Sequence, residues 1–260
     1  MELTYASYLR IDELLELQRP QSDPVEHDEM LFIVVHQVYE LWFKQLLWEM
    51  DEIKRQFGDN DLFAAISTFK RVRTIIKTLV GQLDILETMT PLSFSAFRDR
   101  LERASGFQSA QFRELEFVLG YKRPEMLAAF DPAAGAYRRL ERRLDQPSVI
   151  DRFYDLLAAR GVAIPPALRD KSPRESNRPD PTVQQGLLRL YRRRQEAAIL
   201  FELMTDTDEG LQEWRYRHVK IAERTIGNKP GTGGSSGVEF LKRALFHPVF
   251  PDLWAVRHEF

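Results

Sequence analysis

The sequence predicts an all-α fold, and three observations carry that reading. Apolar residues recur at spacings of three and four over long stretches, period-two alternation is almost absent, and prolines fall where helices would meet. A proline inside a helix costs about 3 kcal/mol. The two proline-free stretches, Val25 to Thr90 and Thr182 to Lys229, are therefore where the longest helices belong.

The elements follow in order. Ser22-Asp23-Pro24 joins a capping side chain to a proline suited to a first helical turn, so one long helix is expected from there to about Phe57. Gly58-Asp59-Asn60-Asp61 reads as a turn. A second helix follows through Ile66, Val72, Ile75, Ile76, Leu79, Leu83 and Leu86, which implies two long antiparallel helices. Pro91 begins a third segment, and helical patterns recur at 108–119, 133–160, 182–204 and 207–227. Between Pro165 and Pro181 lie five of the fourteen prolines, mixed with Arg, Lys, Asp and Ser. That composition predicts an exposed excursion at 165–181 rather than a domain linker, so 1–260 is read as a single domain.

A hydrophobic content of 43% is enough for a sizeable core. The formal net charge of −2 gives no overall reason to expect nucleic acid or an anionic membrane as partner. The arginine runs at 138–139, 142–143 and 192–194 alternate with apolar residues at helical spacing and read as solvated helix faces. With no cysteine, disulfides, thiolate nucleophiles, iron–sulfur clusters and thiolate-ligated haem are excluded, and a reducing compartment is compatible. No signal core and no uninterrupted apolar run of membrane-spanning length occurs, and the expected location is cytoplasmic.

Two of the five histidines break a pattern. His36 follows Phe32 and Ile33 and precedes Tyr39 and Phe43 at helical spacing, on an aromatic-rich face. His218 stands in the stripe Leu211, Trp214, Ile221, Ala222 and Thr225. An inward histidine needs a partner for each ring nitrogen. A satisfied core histidine and a ligand site are both open readings for each. His-Glu-x-x-His and Glu-x-x-His spacings are absent, which disfavours zinc or carboxylate-bridged di-iron. One axial histidine with a second across an apolar pocket is what a histidine-ligated haem requires, and the spacing permits it.

Arg98 shares a helical face with Phe94, Phe97 and Leu101. A guanidinium there can grip a ligand carboxylate through two parallel hydrogen bonds, or close an internal ion pair. The loop 228–237 packs four glycines into seven positions after a helix. It can present backbone N–H groups to a ligand or simply stop the helix, and it lacks the Gly-Lys-Ser/Thr ending of a phosphate loop.

Four strings together resemble the tryptophan 2,3-dioxygenase family, in the family's order: LTYASYL at 3–9, HDEMLFIVVHQVYELWFKQLLWE at 27–49, LETMTPLSFSAFRDRLERASGFQSAQFRELE at 86–116 and WRYRHVKIAERTIGNKPGTGGSSGVEFLKR at 214–243. The resemblance implies an all-α bundle whose long antiparallel helices enclose a pocket for haem b. It implies O2 as co-substrate, L-tryptophan or a close derivative as substrate, and a homotetramer built as a dimer of dimers, with segment 1–20 contacting a neighbouring subunit. By the same resemblance His218 is the axial iron ligand and His36 the catalytic histidine near the indole nitrogen. Phe32 is the wall beside the indole, Arg98 the carboxylate-binding arginine and Phe94 the ring beside that carboxylate. Ser105 is a pocket serine, Thr232 lies near the substrate ammonium, and Tyr5, Tyr8 and Leu9 close a neighbour's pocket. Val35 and Ala6-Ser7 depart from residues common in the family, which bears on distal polarity and N-terminal packing.

The implied reaction is cleavage of the indole C2–C3 bond to N-formyl-L-kynurenine, in tryptophan catabolism through the kynurenine pathway. Two other readings are compatible with these residues. One is a monooxygenase of the same haem superfamily acting on a methylated or otherwise substituted tryptophan, and the other is a non-catalytic haem-binding sensor.

Overall fold

The computed structural model describes residues 2–231 and 236–260, Arg103 excepted, and only the main chain of Phe107. The described residues form helices and connecting turns, with no strand.

Two short helices open the chain, α1 (Tyr5–Leu9) and α2 (Ile11–Leu15), and neither buries a residue. The first long helix, α3 (His27–Gly58), starts later than the Ser22-Asp23-Pro24 signal suggests. The carboxylate of Glu29, in its first turn, accepts from the N–H groups of Gln21 and Ser22 and from the Ser22 hydroxyl. Ser22 is thereby drawn back over the helix, accepts from the Glu26 N–H, and does not cap at Pro24.

Asn60, at φ 56°, completes the turn, and Asp61 caps α4 (Leu62–Leu86) by accepting from the Ala64 N–H. Tyr39 donates to the Leu79 carbonyl, Gln82 to the Val35 carbonyl, Arg71 pairs with Glu49 and Gln56 with Thr68. One number falls as the other rises, so α3 and α4 are antiparallel, as expected.

Thr90 caps α5 (Pro91–Arg98) and Ser109 caps α6 (Ala110–Val118). The single helical pattern at 133–160 resolves into α7 (Gly135–Asp145) and α8 (Val149–Ala159). Pro147 ends the first, and Ser148 with Asp151 forms a capping box for the second. The stretch 165–181 contains α9 (Pro166–Arg169), whose Leu168 reaches the core. Arg174 pairs with Asp145, and Ser176 exchanges hydrogen bonds with the backbone of Lys122, so the excursion is pinned to the surface.

Sequence reading divides 182–227 near residue 205, and the structure divides it at Arg194, between α10 (Pro181–Arg193) and α11 (Gln195–Ile226). The Thr-Asp-Thr-Asp string at 205–208 stays helical because the hydroxyls of Thr205 and Thr207 donate to the carbonyls of Phe201 and Leu203 within the helix. Asp208 is fully buried and holds the C-terminal segment. One of its oxygens accepts from the N–H groups of Val249 and Phe250 and from Trp254 Nε1, positioning α13 (Pro251–Ala255). Before it lies α12 (Val238–Lys242).

The α4–α11 seam is the most extensive in the molecule. Arg73 pairs with Asp206, Gly210 packs on Ile76, and Arg217 pairs with Asp84, so these two helices run parallel. A Cβ at Gly210 would lie 2.9 Å from the Ile76 methyl, which explains a glycine in mid-helix. Phe57, Phe69, Phe153 and Phe201 fill the core where α3, α4, α8 and α11 meet, each ring adding roughly 2–3 kcal/mol by burial. The arginine runs are not wholly solvated faces: Arg139 and Arg143 pair with buried Glu114. Among the described residues no helix is long and apolar enough to cross a membrane.

Candidate functional site

Toward one end of the three long helices the core opens into a cleft with about 1290 Å³ of atom-free space, part of it continuous with solvent. Its walls are mostly apolar and come from distant parts of the chain: α3 gives His36, Tyr39 and Phe43, α6 gives Phe112, α11 gives Trp214 and His218, and Ser105, Gly231 and Phe240 close the rim. The two histidines singled out by pattern therefore share one cavity, with Ser105.

His36 Nδ1 lies 2.7 Å from the Phe32 carbonyl, one helical turn back. A carbonyl only accepts, so in the neutral ring Nδ1 carries the proton and Nε2 is left as an acceptor. Burial holds the imidazole below its ordinary pKa. The Phe32 ring is 4.0 Å from the His36 ring and touches Phe94 and Phe97, which together form an aromatic wall.

His218 stacks on Trp214, with ring centroids 5.1 Å apart at 19°. Among the described residues no group hydrogen-bonds to its ring. Burial, with a smaller contribution from nearby His36, pushes its pKa down to about 4. It is thus a neutral imidazole with a free lone pair at physiological pH, the state in which histidine binds a metal. Among the described residues no group of three or more His, Asp or Glu could hold a metal ion.

Arg98, at the end of α5, donates from Nη2 to the Pro230 carbonyl at 2.9 Å, while its buried Nε–H has no acceptor among the described residues. No carboxylate pairs with it among the described residues, so the ion-pair alternative lacks its acid. Pro230 adjoins Gly231 of the cleft rim, which puts the guanidinium beside the aromatic wall and the glycine-rich loop. The loop's ends nearly touch: Gly237 has φ 61°, and a Cβ there would lie 2.7 Å from the Lys229 carbonyl oxygen. Thr232 lies outside the described residues. Tyr5, Tyr8 and Leu9 do not line the cleft, being 77%, 72% and 43% exposed.

The pattern of the family described as Tryptophan 2,3-dioxygenase matches residues 1–131 and 182–259. The chain belongs to the tryptophan 2,3-dioxygenase family. It is 54% identical to the tryptophan 2,3-dioxygenase of Anaeromyxobacter sp. (strain K), over 98% of this chain and 95% of that protein. It is 54% identical to the one of Herpetosiphon aurantiacus, over 98% and 97%. It is 43% identical to the one of Saccharopolyspora erythraea, over 99% and 93%.

For a tryptophan 2,3-dioxygenase family member the cleft also holds residues that the sequence reading missed. Arg113, Arg123 and Arg215 line it, with Glu116 between the first two, and Gln111 donates to Glu40 on another wall. A signal existed for Arg215: it lies three residues before His218, on the same side of one helix. Arg113 and Arg123 had none: Arg113 interrupts no apolar stripe singled out in the sequence, and Arg123 lies in the turn after α6.

Proposed function

We propose that this chain is a haem-dependent dioxygenase that opens the indole ring of L-tryptophan with O2, giving N-formyl-L-kynurenine. Family membership carries the activity. The observation that carries the cofactor is His218, a half-buried, neutral imidazole with no hydrogen-bond partner among the described residues, facing a large apolar cleft in a chain without cysteine. His218 would hold the iron, and bound haem would supply the ferrous centre that activates O2.

The protein's own groups then bind and orient. The unprotonated Nε2 of His36 accepts from the indole N–H, while Phe32 and Phe94 confine the substrate. Arg98 exchanges its loop carbonyl for the substrate carboxylate, and Ser105 and Thr232 complete the polar contacts. A substrate fixed at both ends presents its C2–C3 bond in one orientation, and closure excludes water.

Segment 1–20 carries Tyr5, Tyr8 and Leu9 on helices that bury nothing of their own, which supports their docking at a neighbour's cleft in a homotetramer. The main core cluster, which draws residues from Val35 to Val256, supports one domain over 1–260, and the lack of cysteine suits a cytoplasmic protein.

The test is anaerobic reconstitution with haem, reduction, and addition of L-tryptophan and O2, followed by product mass. A ring-opened product carrying two new oxygen atoms is expected. One added oxygen with the ring intact, or turnover only with a substituted tryptophan, overturns the assignment.

A further inference from the structure

The two histidines of the cleft are held in different ways. His36 is fixed in the ordinary manner, by a hydrogen bond from Nδ1 to the Phe32 carbonyl. The ring of His218 makes no hydrogen bond among the described residues. A histidine that holds a metal ordinarily donates its second ring N–H to a carboxylate or carbonyl, and that bond sets the direction of the ring. The torsion that swings an imidazole is broad and two-fold, so partial burial alone does not choose a direction. Something else has to.

That role falls to a neighbour on the same helix. Trp214, one turn back on α11, lies nearly parallel to the imidazole, with centroids 5.1 Å apart and planes at 19°. Trp214 is itself wedged in place. It is 7% exposed, and its indole meets Phe112 of α6 at 5.0 Å and Phe43 and Tyr39 of α3 at 6.1 Å each. Phe43 and Tyr39 meet it edge to face, at 87° and 65°, an arrangement that aromatic rings prefer. Tyr39 is tied in turn, because its hydroxyl donates to the Leu79 carbonyl on α4. Four helices thus set the plane of the indole, and the indole turns a face to His218.

We infer that Trp214 is the positioning residue of the axial imidazole, fixing the direction of the His218 ring by a face contact where a hydrogen bond would ordinarily do so. This rests on the haem reading above. A stack restrains the ring and commits neither of its nitrogens, so the ligand is aimed before any metal arrives.

The ferric haem protein with cyanide added is low-spin, and its electron paramagnetic resonance reads the direction of the axial imidazole plane. A ring held in one direction gives a single narrow signal, and a ring free to swing gives a broadened or divided one. The unmodified protein should give the single narrow signal. Trp214→Leu should broaden or divide it and speed haem loss about two- to tenfold, the scale of one aromatic pair. Trp214→Phe, which keeps a flat ring, should restore most of the line shape. A broad or divided signal from the unmodified protein overturns the assignment with no variant needed, and so does an unchanged line shape in Trp214→Leu. His218→Ala tests the haem reading separately. If it abolishes the histidine-ligated spectrum while Trp214→Leu keeps the narrow signal, only the role of Trp214 falls. If it leaves the spectrum as it was, His218 does not hold the iron and both fall.

Discussion

Arg98 has one guanidinium N–H without an acceptor among the described residues and a second one on a loop carbonyl, an arrangement suited to exchange. Replacing it with Met removes the grip on a carboxylate, worth about 2–3 kcal/mol for a charged bidentate pair. KM for L-tryptophan should rise by tens to a hundredfold in steady-state kinetics, with the haem spectrum of the resting protein unchanged. His36→Ala should do the reverse split, lowering kcat while leaving KM within a few-fold and haem content intact by absorbance. Loss of haem from that variant would place His36 on the iron instead. At this scale the sequence was informative wherever a polar group interrupts an apolar stripe, as at His36, Arg98 and His218. It was silent at Arg113 and Arg123, whose place on the cleft comes from which walls α6 and the following turn happen to face.

Asp208 ties elements together rather than touching the cleft. Asp208→Ala would leave two backbone N–H groups and an indole N–H buried without acceptors, at about 1–3 kcal/mol each before relaxation. A stability loss on the order of 3 kcal/mol or more is expected by urea titration, with α13 and the C-terminal residues losing hydrogen-exchange protection first. Retention of wild-type protection there would show that α13 is held by packing alone. The same residue explains why helix boundaries were only partly legible. The expected patterns at 182–204 and 207–227 part at Thr205-Asp206-Thr207-Asp208, but its hydroxyls bond back into α11 and its second aspartate serves a segment some forty residues away. The start of α3 was misjudged for a related reason, since Glu29 recruits Ser22 from outside the helix. The turn at 58–61 and the cap at Asp61 needed no distant partner and were legible.

For the molecule as a whole, two neutral histidines desolvated by the walls of the cleft couple stability to pH. The folded pKa of His218 is about 4 against an ordinary 6.5, and that of His36 is shifted the same way. The unfolded chain therefore binds more protons between those values, and the stabilisation is complete above about pH 6.5 and lost as pH falls through the folded pKa. The haem-free protein should lose on the order of 3 kcal/mol from His218 between pH 7 and pH 4 by thermal or urea unfolding. The variant His218→Phe should flatten that dependence, and an unchanged slope would exclude His218 as its source. The all-α class and the paired antiparallel helices were legible because they rest on periodicity, but the parallel mating of α4 with α11 was not, because nothing local records which distant helix will lie alongside.

That seam has a consequence for chain continuity. Because α4 and α11 are joined by packing and by ion pairs at two levels, Arg73 with Asp206 and Arg217 with Asp84, the covalent link between them through the intervening hundred or so residues is not what holds the cleft's two sides together. A backbone cut at the exposed Ser172-Pro173 would leave His36 and Arg98 on one piece and His218 on the other. The two pieces, expressed separately and mixed, should recover a histidine-ligated haem spectrum and tryptophan turnover that neither gives alone, so that the enzyme would report on whatever brings its halves into contact.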